Sequence, residues 1–385
     1  MRTLILALCA LIATAQAVTR KPIDVISSLP GEASPVIAAQ DGVLAIACRD
    51  CDAENQITLY ALGTWNLIAT LTLSDPNAQV LSIAIQNKYI IAGAVNPITG
   101  SNGSAYVFCK PSAGWSNEQE TAVLNPSDPQ QGSYFGISVA VWGSTVVVGS
   151  PGYGLNNTGK AYVYIEPASG WTDATENAQL TASDGAPYWQ LGTSVAITGP
   201  VPGGGNLIAL GTPQNGGMHT VKPGAVYVYE EPPSGWGTMT QNAKLTIAGR
   251  SGDLGNSVAI AKGVVVAGMP DNGAGGQLAI YDEPQSGWAN TSQPSYLLFD
   301  DESVSLGYVV SLTENGSVLT ACCGRTFEKD HPLDLSFLWH ADQQWSKTIR
   351  LSAEGLTDSA GALTSTADWA FTADQQGHLF VFDGK

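Results

Sequence analysis

One turn recurs through this chain, and it limits the possible folds more than any other feature. Pro111 to Trp115 reads Pro-Ser-Ala-Gly-Trp, and Pro167 to Trp171 reads Pro-Ala-Ser-Gly-Trp. Pro232 to Trp236 reads Pro-Pro-Ser-Gly-Trp, and Pro284 to Trp288 reads Pro-Gln-Ser-Gly-Trp. Trp65 and Trp345 fall in the same register with degraded flanks. Successive tryptophans are 50, 56, 65, 52 and 57 residues apart. A period of this size marks supersecondary units that bury their faces against one another.

One unit can be read through from Phe135. Phe135 to Val141 alternates, as a half-buried strand does. Trp142 to Ser144 is a tight turn, Thr145 to Gly149 a short apolar strand, and Ser150 to Gly159 a loop by composition. Lys160 to Ile165 is a third strand, Pro167 to Trp171 the recurrent turn, and Ala178 to Ala182 a fourth strand. Four short antiparallel strands per unit, repeated along the chain, predict the blades of a β-propeller. Six such units can be counted, and the tail from Gly361 to Phe382 holds three further strands. Pro22 to Ser27 resembles the fourth strand Ala243 to Ala248 and supplies the missing one. The expected fold is therefore all-β: a seven-bladed propeller of four-stranded antiparallel blades, closed by N- and C-terminal strands that share the last blade. Sharing a blade between the two ends of the chain removes the wet terminal faces of an open array.

The unit resembles the FG-GAP repeat, the blade unit of integrin alpha-chain propellers and of many exported bacterial proteins. Phe135-Gly136 matches the first half of the motif, and Val148-Gly149-Ser150-Pro151 the second. Weaker copies are Leu191-Gly192 with Leu210 to Pro213, and Leu254-Gly255 with Ala267 to Pro270. The likeness is clear in the third to fifth units and fades elsewhere. It implies adhesion or recognition. Calcium-binding members carry a carboxylate-rich loop between the first and second strands. Here those turns hold a single carboxylate, too few for an ion that takes six to eight oxygen ligands, so no metal and no cofactor is expected.

The first 17 residues read as a secretory signal peptide: Arg2, an apolar run from Leu4 to Ala13, and Ala15-Gln16-Ala17 as a cleavage site. Residues 18–385 would then form one exported, extracellular or periplasmic propeller domain without a membrane span. Export favours oxidation, so Cys48 and Cys51 are candidates for a local disulfide. Lys and Arg total 16 against 33 Asp and Glu, which excludes nucleic acid as an expected partner.

Candidate chemistry is sparse. Asp50, Asp52 and Glu54 alternate as a calcium loop begins, but no glycine or distal glutamate follows. Glu328, Asp330, His331 and Asp334 lack any ligand spacing of a known metal motif. Ser138, Ser194 and Ser257 recur, whereas a catalytic serine would be singular. No catalytic residue is assigned, and the protein is not expected to be an enzyme. Trp65, Trp115, Trp171, Trp236, Trp288 and Trp345, with Phe135 and Gly136, read as structural anchors between blades. Loops after the second strands and between blades share one face and vary most, as a recognition surface does. Tyr153, Tyr188, Trp189, His219, Arg325 and His331 fall there. The expectation is a monomeric binding propeller for a protein or surface glycan. Two alternatives are a lectin with sugar pockets and a hydrolase or lyase with its site at the channel mouth.

Overall fold

The computed structural model describes residues 24–26, 34–49, 54–98, 102–152, 158–200, 204–213, 223–250, 252–270, 276–299, 307–312, 318–321, 334–341, 344–352, 362–365, 369–373 and 379–383. Among these residues every regular element is a strand, and the strands form seven sheets.

The third sheet shows how a unit is made. Ser138–Trp142, Thr145–Ser150, Lys160–Ile165 and Ala178–Thr181 lie side by side in chain order, each antiparallel to the next. Val146, Val147 and Val148 in the second strand are fully buried. A strand covered on both faces reads as a continuous apolar run, and β-branched residues suit it. The innermost strand instead alternates buried and half-buried residues, because one of its faces looks toward the centre of the molecule. Gly143, at φ +58°, makes the tight turn between these two strands.

The other sheets repeat this order. The first begins with Ser34–Gln40, the second with Gln79–Gln86, the fourth with Ser194–Thr198, the fifth with Ser257–Ala261 and the sixth with Val309–Leu312. The seventh holds Ala362–Ser365, Trp369–Ala373 and Leu379–Asp383, with Asp24–Ile26 as its outer strand; Asp24 stands opposite Val381. Each innermost strand lies against its neighbour in chain order, and Ala362–Ser365 lies against both Val309–Leu312 and Ser34–Gln40.

Two devices join neighbouring sheets. The first is a serine latch near the centre. Ser82, Ser138, Ser194 and Ser257 each donate their hydroxyl to the carbonyl of the glycine that opens the next unit: Gly136, Gly192, Gly255 and Gly307, all at 2.8 Å. Each such bond contributes about 1 kcal/mol net. The glycines are required by geometry. Gly192 has φ +89°, and a Cβ on Gly149 would overlap the Gly192 carbonyl oxygen. The Phe-Gly of the motif is thus a buried ring followed by a left-handed turn. Phe135 packs edge-on against Tyr162, with ring centroids 5.3 Å apart. The recurring serines are therefore latches between units.

The second device is a clasp at the outer edge. The segment carrying each Pro-x-Ser-Gly-Trp turn reaches back onto the preceding sheet. Glu118–Gln119 pairs in parallel with Leu67–Thr72, and Met239–Thr240 pairs in parallel with Ala178–Thr181. The expectation of four antiparallel strands is corrected here, because these two sheets gain a short fifth strand. Side chains complete the clasp. Asn117, Asp173 and Asn290 accept the backbone N–H groups of Thr70, Val123 and Lys244, each at 2.8 Å. Covering an outer strand in this way protects its unpaired edge.

Trp171, Trp236 and Trp288 are buried at these junctions, and Trp115 is half-buried against the first sheet. Trp171 meets Tyr89 of the second sheet edge-on at 6.4 Å. Trp65 and Trp345 are placed differently from the expected register. Trp65 is half-buried in a turn at φ +58°, and Trp345 lies on the outer strand Gln344–Ser352 opposite His340. The links ahead of these outer strands are short: five residues separate Gln56–Ala61 from Leu67–Thr72, and two separate Asp334–Ala341 from Gln344–Ser352.

Candidate functional site

In an antiparallel sheet, turns after the first strand and loops after the second emerge on opposite sides. The links between sheets share the side of the second-strand loops. Tyr188 and Trp189 lie on that side, on the link between Ala178–Thr181 and Ser194–Thr198. Tyr153, His219, Arg325 and His331 lie outside the described residues, as does Cys51. Cys48 is disulfide-bonded, and Cys109 carries a free thiol.

The Tyr188–Trp189 link is held in an uncommon conformation, with φ +69° at Tyr188 and +57° at Gln190. Such values are costly for residues with a Cβ and persist only where surrounding structure imposes them. The Trp189 carbonyl accepts a hydrogen bond from the Thr212 hydroxyl. The half-buried indole lies under the Lys244 ammonium, 4.7 Å from the ring centroid, in cation–π geometry. Lys244 also reaches Asp184 at 2.6 Å, and the Tyr227 hydroxyl donates to the other oxygen of that carboxylate at 2.8 Å. Burial raises the Asp184 carboxyl, but hydrogen bonds from Lys244 and Tyr227 outweigh it and hold the group below its ordinary value. Burial, then the Asp184 hydrogen bond, pushes the Tyr227 phenol up.

A related cluster stands one unit earlier. Asp128 accepts from Lys160 at 2.5 Å and from the Tyr162 hydroxyl at 2.7 Å, and its carboxyl is likewise lowered against the effect of burial. A cavity of about 160 Å3 beside it is lined by Gln130, Ser133, Lys160 and Tyr162 among others. In both clusters the aspartate follows a serine in the link between sheets, and the tyrosine is the first of an Ala-Tyr-Val-Tyr or Ala-Val-Tyr-Val-Tyr run. The lysine does not repeat. Lys160 opens a third strand, whereas Lys244 lies on an outer strand opposite Tyr227. At the preceding copy Asp75 accepts from the Asn96 amide at 2.8 Å, and burial pushes the Tyr106 phenol up to about 12.

Sequence reasoning missed these four charged residues. The repeated Ser-Asp pairs were a usable signal for the aspartates. Nothing in the sequence pointed to the lysines, because their contacts come from different strands.

Comparison with known proteins adds the following. A family model described as the FG-GAP repeat matches residues 118–164. No match was found among curated protein sequences. Among solved structures, a chain of the crystal structure of a mitotic checkpoint complex is similar over 100% of both chains, with TM-score 0.62 and 12% identity. The WD40 β-propeller domain of Doa1 is similar over 95% of this chain and 97% of that one, with TM-score 0.56 and 12% identity. The fold is a β-propeller that contains an FG-GAP repeat. Among the described residues no helix is long and apolar enough to cross a membrane.

Proposed function

We propose that this protein is an exported, non-enzymatic recognition propeller that binds a protein partner through the side bearing the second-strand loops. In this reading the seven sheets are seven blades of a closed ring. The pairing of Asp24–Ile26 with Leu379–Asp383, and the run of innermost strands returning to Ser34–Gln40, support closure. The leader-like first 17 residues support export. The Trp189–Lys244–Asp184–Tyr227 cluster carries the recognition reading. Trp189 and the Lys244–Asp184 pair are partly exposed there above the buried Tyr227, and tryptophan is among the residue types that dominate interface energetics. A formal charge of −17 suits a partner whose contact face is basic.

A lectin with sugar pockets is the competing reading, supported by the polar cavity beside Lys160 and Tyr162. The two separate in one experiment. Residues 18–385 are applied to a glycan array, with and without EDTA, and to a pull-down from extracellular protein, alongside Trp189→Ala. A captured protein lost in Trp189→Ala at unchanged melting temperature supports the proposal. Binding to a single sugar class overturns it in favour of the lectin, and EDTA sensitivity overturns the metal-free part.

A further inference from the structure

The opposite side of the ring has a feature of its own. There the innermost strands of the first, second, third and fifth sheets end in two-residue turns, beside a cavity of about 640 Å3. Its floor is aliphatic: Val141, Ile197, Ile260 and Leu312, drawn from four neighbouring sheets. Trp142 forms part of the wall. Its indole lies so close to Gly199 that a Cβ there would collide with the ring. Gln86, only 5% exposed, is fixed at the edge by accepting the Gly143 N–H at 2.6 Å. A cavity of this volume, apolar below with a few oriented polar groups above, matches the usual build of a small-molecule site.

Lys262 completes the rim. It occupies the first position of the two-residue turn between Ser257–Ala261 and Val264–Met269, at φ +47°. The matching positions in the first three sheets hold Asp41, Asn87 and Gly143, at +53°, +53° and +58°. Those residue types tolerate the left-handed region, and lysine has no local hydrogen bond to offset it. A strained residue at the edge of a cavity points to a use for its side chain. Glu283 stands on the same rim, half-buried beside the Lys262–Gly263 turn.

We propose that this cavity binds a compact amphiphilic carboxylate, with its apolar body on the aliphatic floor against Trp142 and its carboxylate at the Lys262 ammonium. The inference does not depend on what the loop side recognises.

The test uses calorimetric titration of residues 18–385 with decanoate, decanol and decylamine, three ligands that share a tail and differ in head-group charge. Decanoate is expected to bind tightest, with a negative heat-capacity change from apolar burial. Lys262→Asn places at that turn the residue found at the Asn87 position. It is expected to melt no lower than the parent and to bind decanoate up to about fivefold more weakly, the range of an exposed ion pair. Its decanol affinity should be unchanged. Trp142→Ala is expected to weaken all three ligands together. Equal affinity for the three head groups, unchanged decanoate binding in Lys262→Asn, or no binding of decanoate at about 1 mM would each overturn the proposal.

Discussion

Replacing Trp171 with alanine tests whether the recurrent tryptophans hold neighbouring sheets together or present their indoles to sugar. Trp171 is 6% exposed and packs among Tyr89, Val107 and Leu124 of the second sheet and Tyr164 of the third. Truncating so large a buried side chain costs about 3–5 kcal/mol. Unfolding entropy is about 2.1 cal/mol/K per residue, so a 385-residue chain changes stability by about 0.8 kcal/mol per degree near its midpoint. The expected fall in Tm is therefore about 4–6 °C by differential scanning calorimetry. Trp189→Ala is the contrast, because that residue is only partly buried, and a smaller fall than in Trp171→Ala is expected. The indole N–H of Trp171 is buried without a partner among the described residues. Trp171→Phe should therefore cost less than its lost volume suggests, since it also removes an unsatisfied donor. A Trp171→Ala protein that melts within about 1 °C of the parent would refute the anchoring argument. Loss of sugar binding in the same variant would establish the lectin in its place.

Four further outcomes follow from the geometry. Gly149→Ala forces a Cβ into the Gly192 carbonyl and should cost about 3 kcal/mol or more, read from the denaturant midpoint. Gly143→Ala meets nothing nearby and should cost about 1 kcal/mol through its φ alone. Asp128 and Asp184 have folded-state pKa values held below their unfolded values, so their contribution is present above the unfolded pKa and is lost as pH falls through the folded one. Asp128→Asn with Asp184→Asn should flatten the melting temperature's dependence on pH below about 4. Burial instead raises the Glu118 carboxyl, so folding disfavours its ionised form at neutral pH. Glu118→Gln should melt higher than the parent at pH 7, and the difference should shrink as acid protonates the parent's carboxyl.

The fold was legible where geometry leaves the sequence no choice. Gly149 and Gly192 admit no side chain and a left-handed turn, so they recur at fixed offsets and can be read as punctuation. Trp171, Trp236 and Trp288 recur because each fills one junction between sheets. Trp65 and Trp345 misled because spacing along the chain does not report connection length. What differs is the length of the link before the outer strand, five residues at Trp65 and two at Trp345. The candidate site was less legible. Tyr188 and Trp189 stand out as aromatic residues in a link, but Lys244 lies mid-strand among residues of ordinary composition. Only folding reveals that its ammonium covers the Trp189 ring. The cavity opposite was read only as a general possibility. Its floor is built from the last residues of strands in four different sheets, and no linear motif collects Val141, Ile197, Ile260 and Leu312.

The division between repeated and unrepeated polar groups decides where recognition can reside. The hydroxyls of Ser82, Ser138, Ser194 and Ser257 are spent on glycine carbonyls of the following unit. Asn117, Asp173 and Asn290 are spent on backbone N–H groups of the preceding one. A ligand engaging any of these would have to break a sheet-to-sheet bond worth about 1 kcal/mol net, and the serine hydroxyls are in addition partly or fully buried. Binding there would oppose folding. The groups that can bind without that conflict are those the repeat does not need, and these are singular: Trp189 under Lys244 on one side, Trp142 and Lys262 on the other. The same repetition that makes the frame rigid thus leaves these unrepeated side chains outside the hydrogen bonds that recur between units.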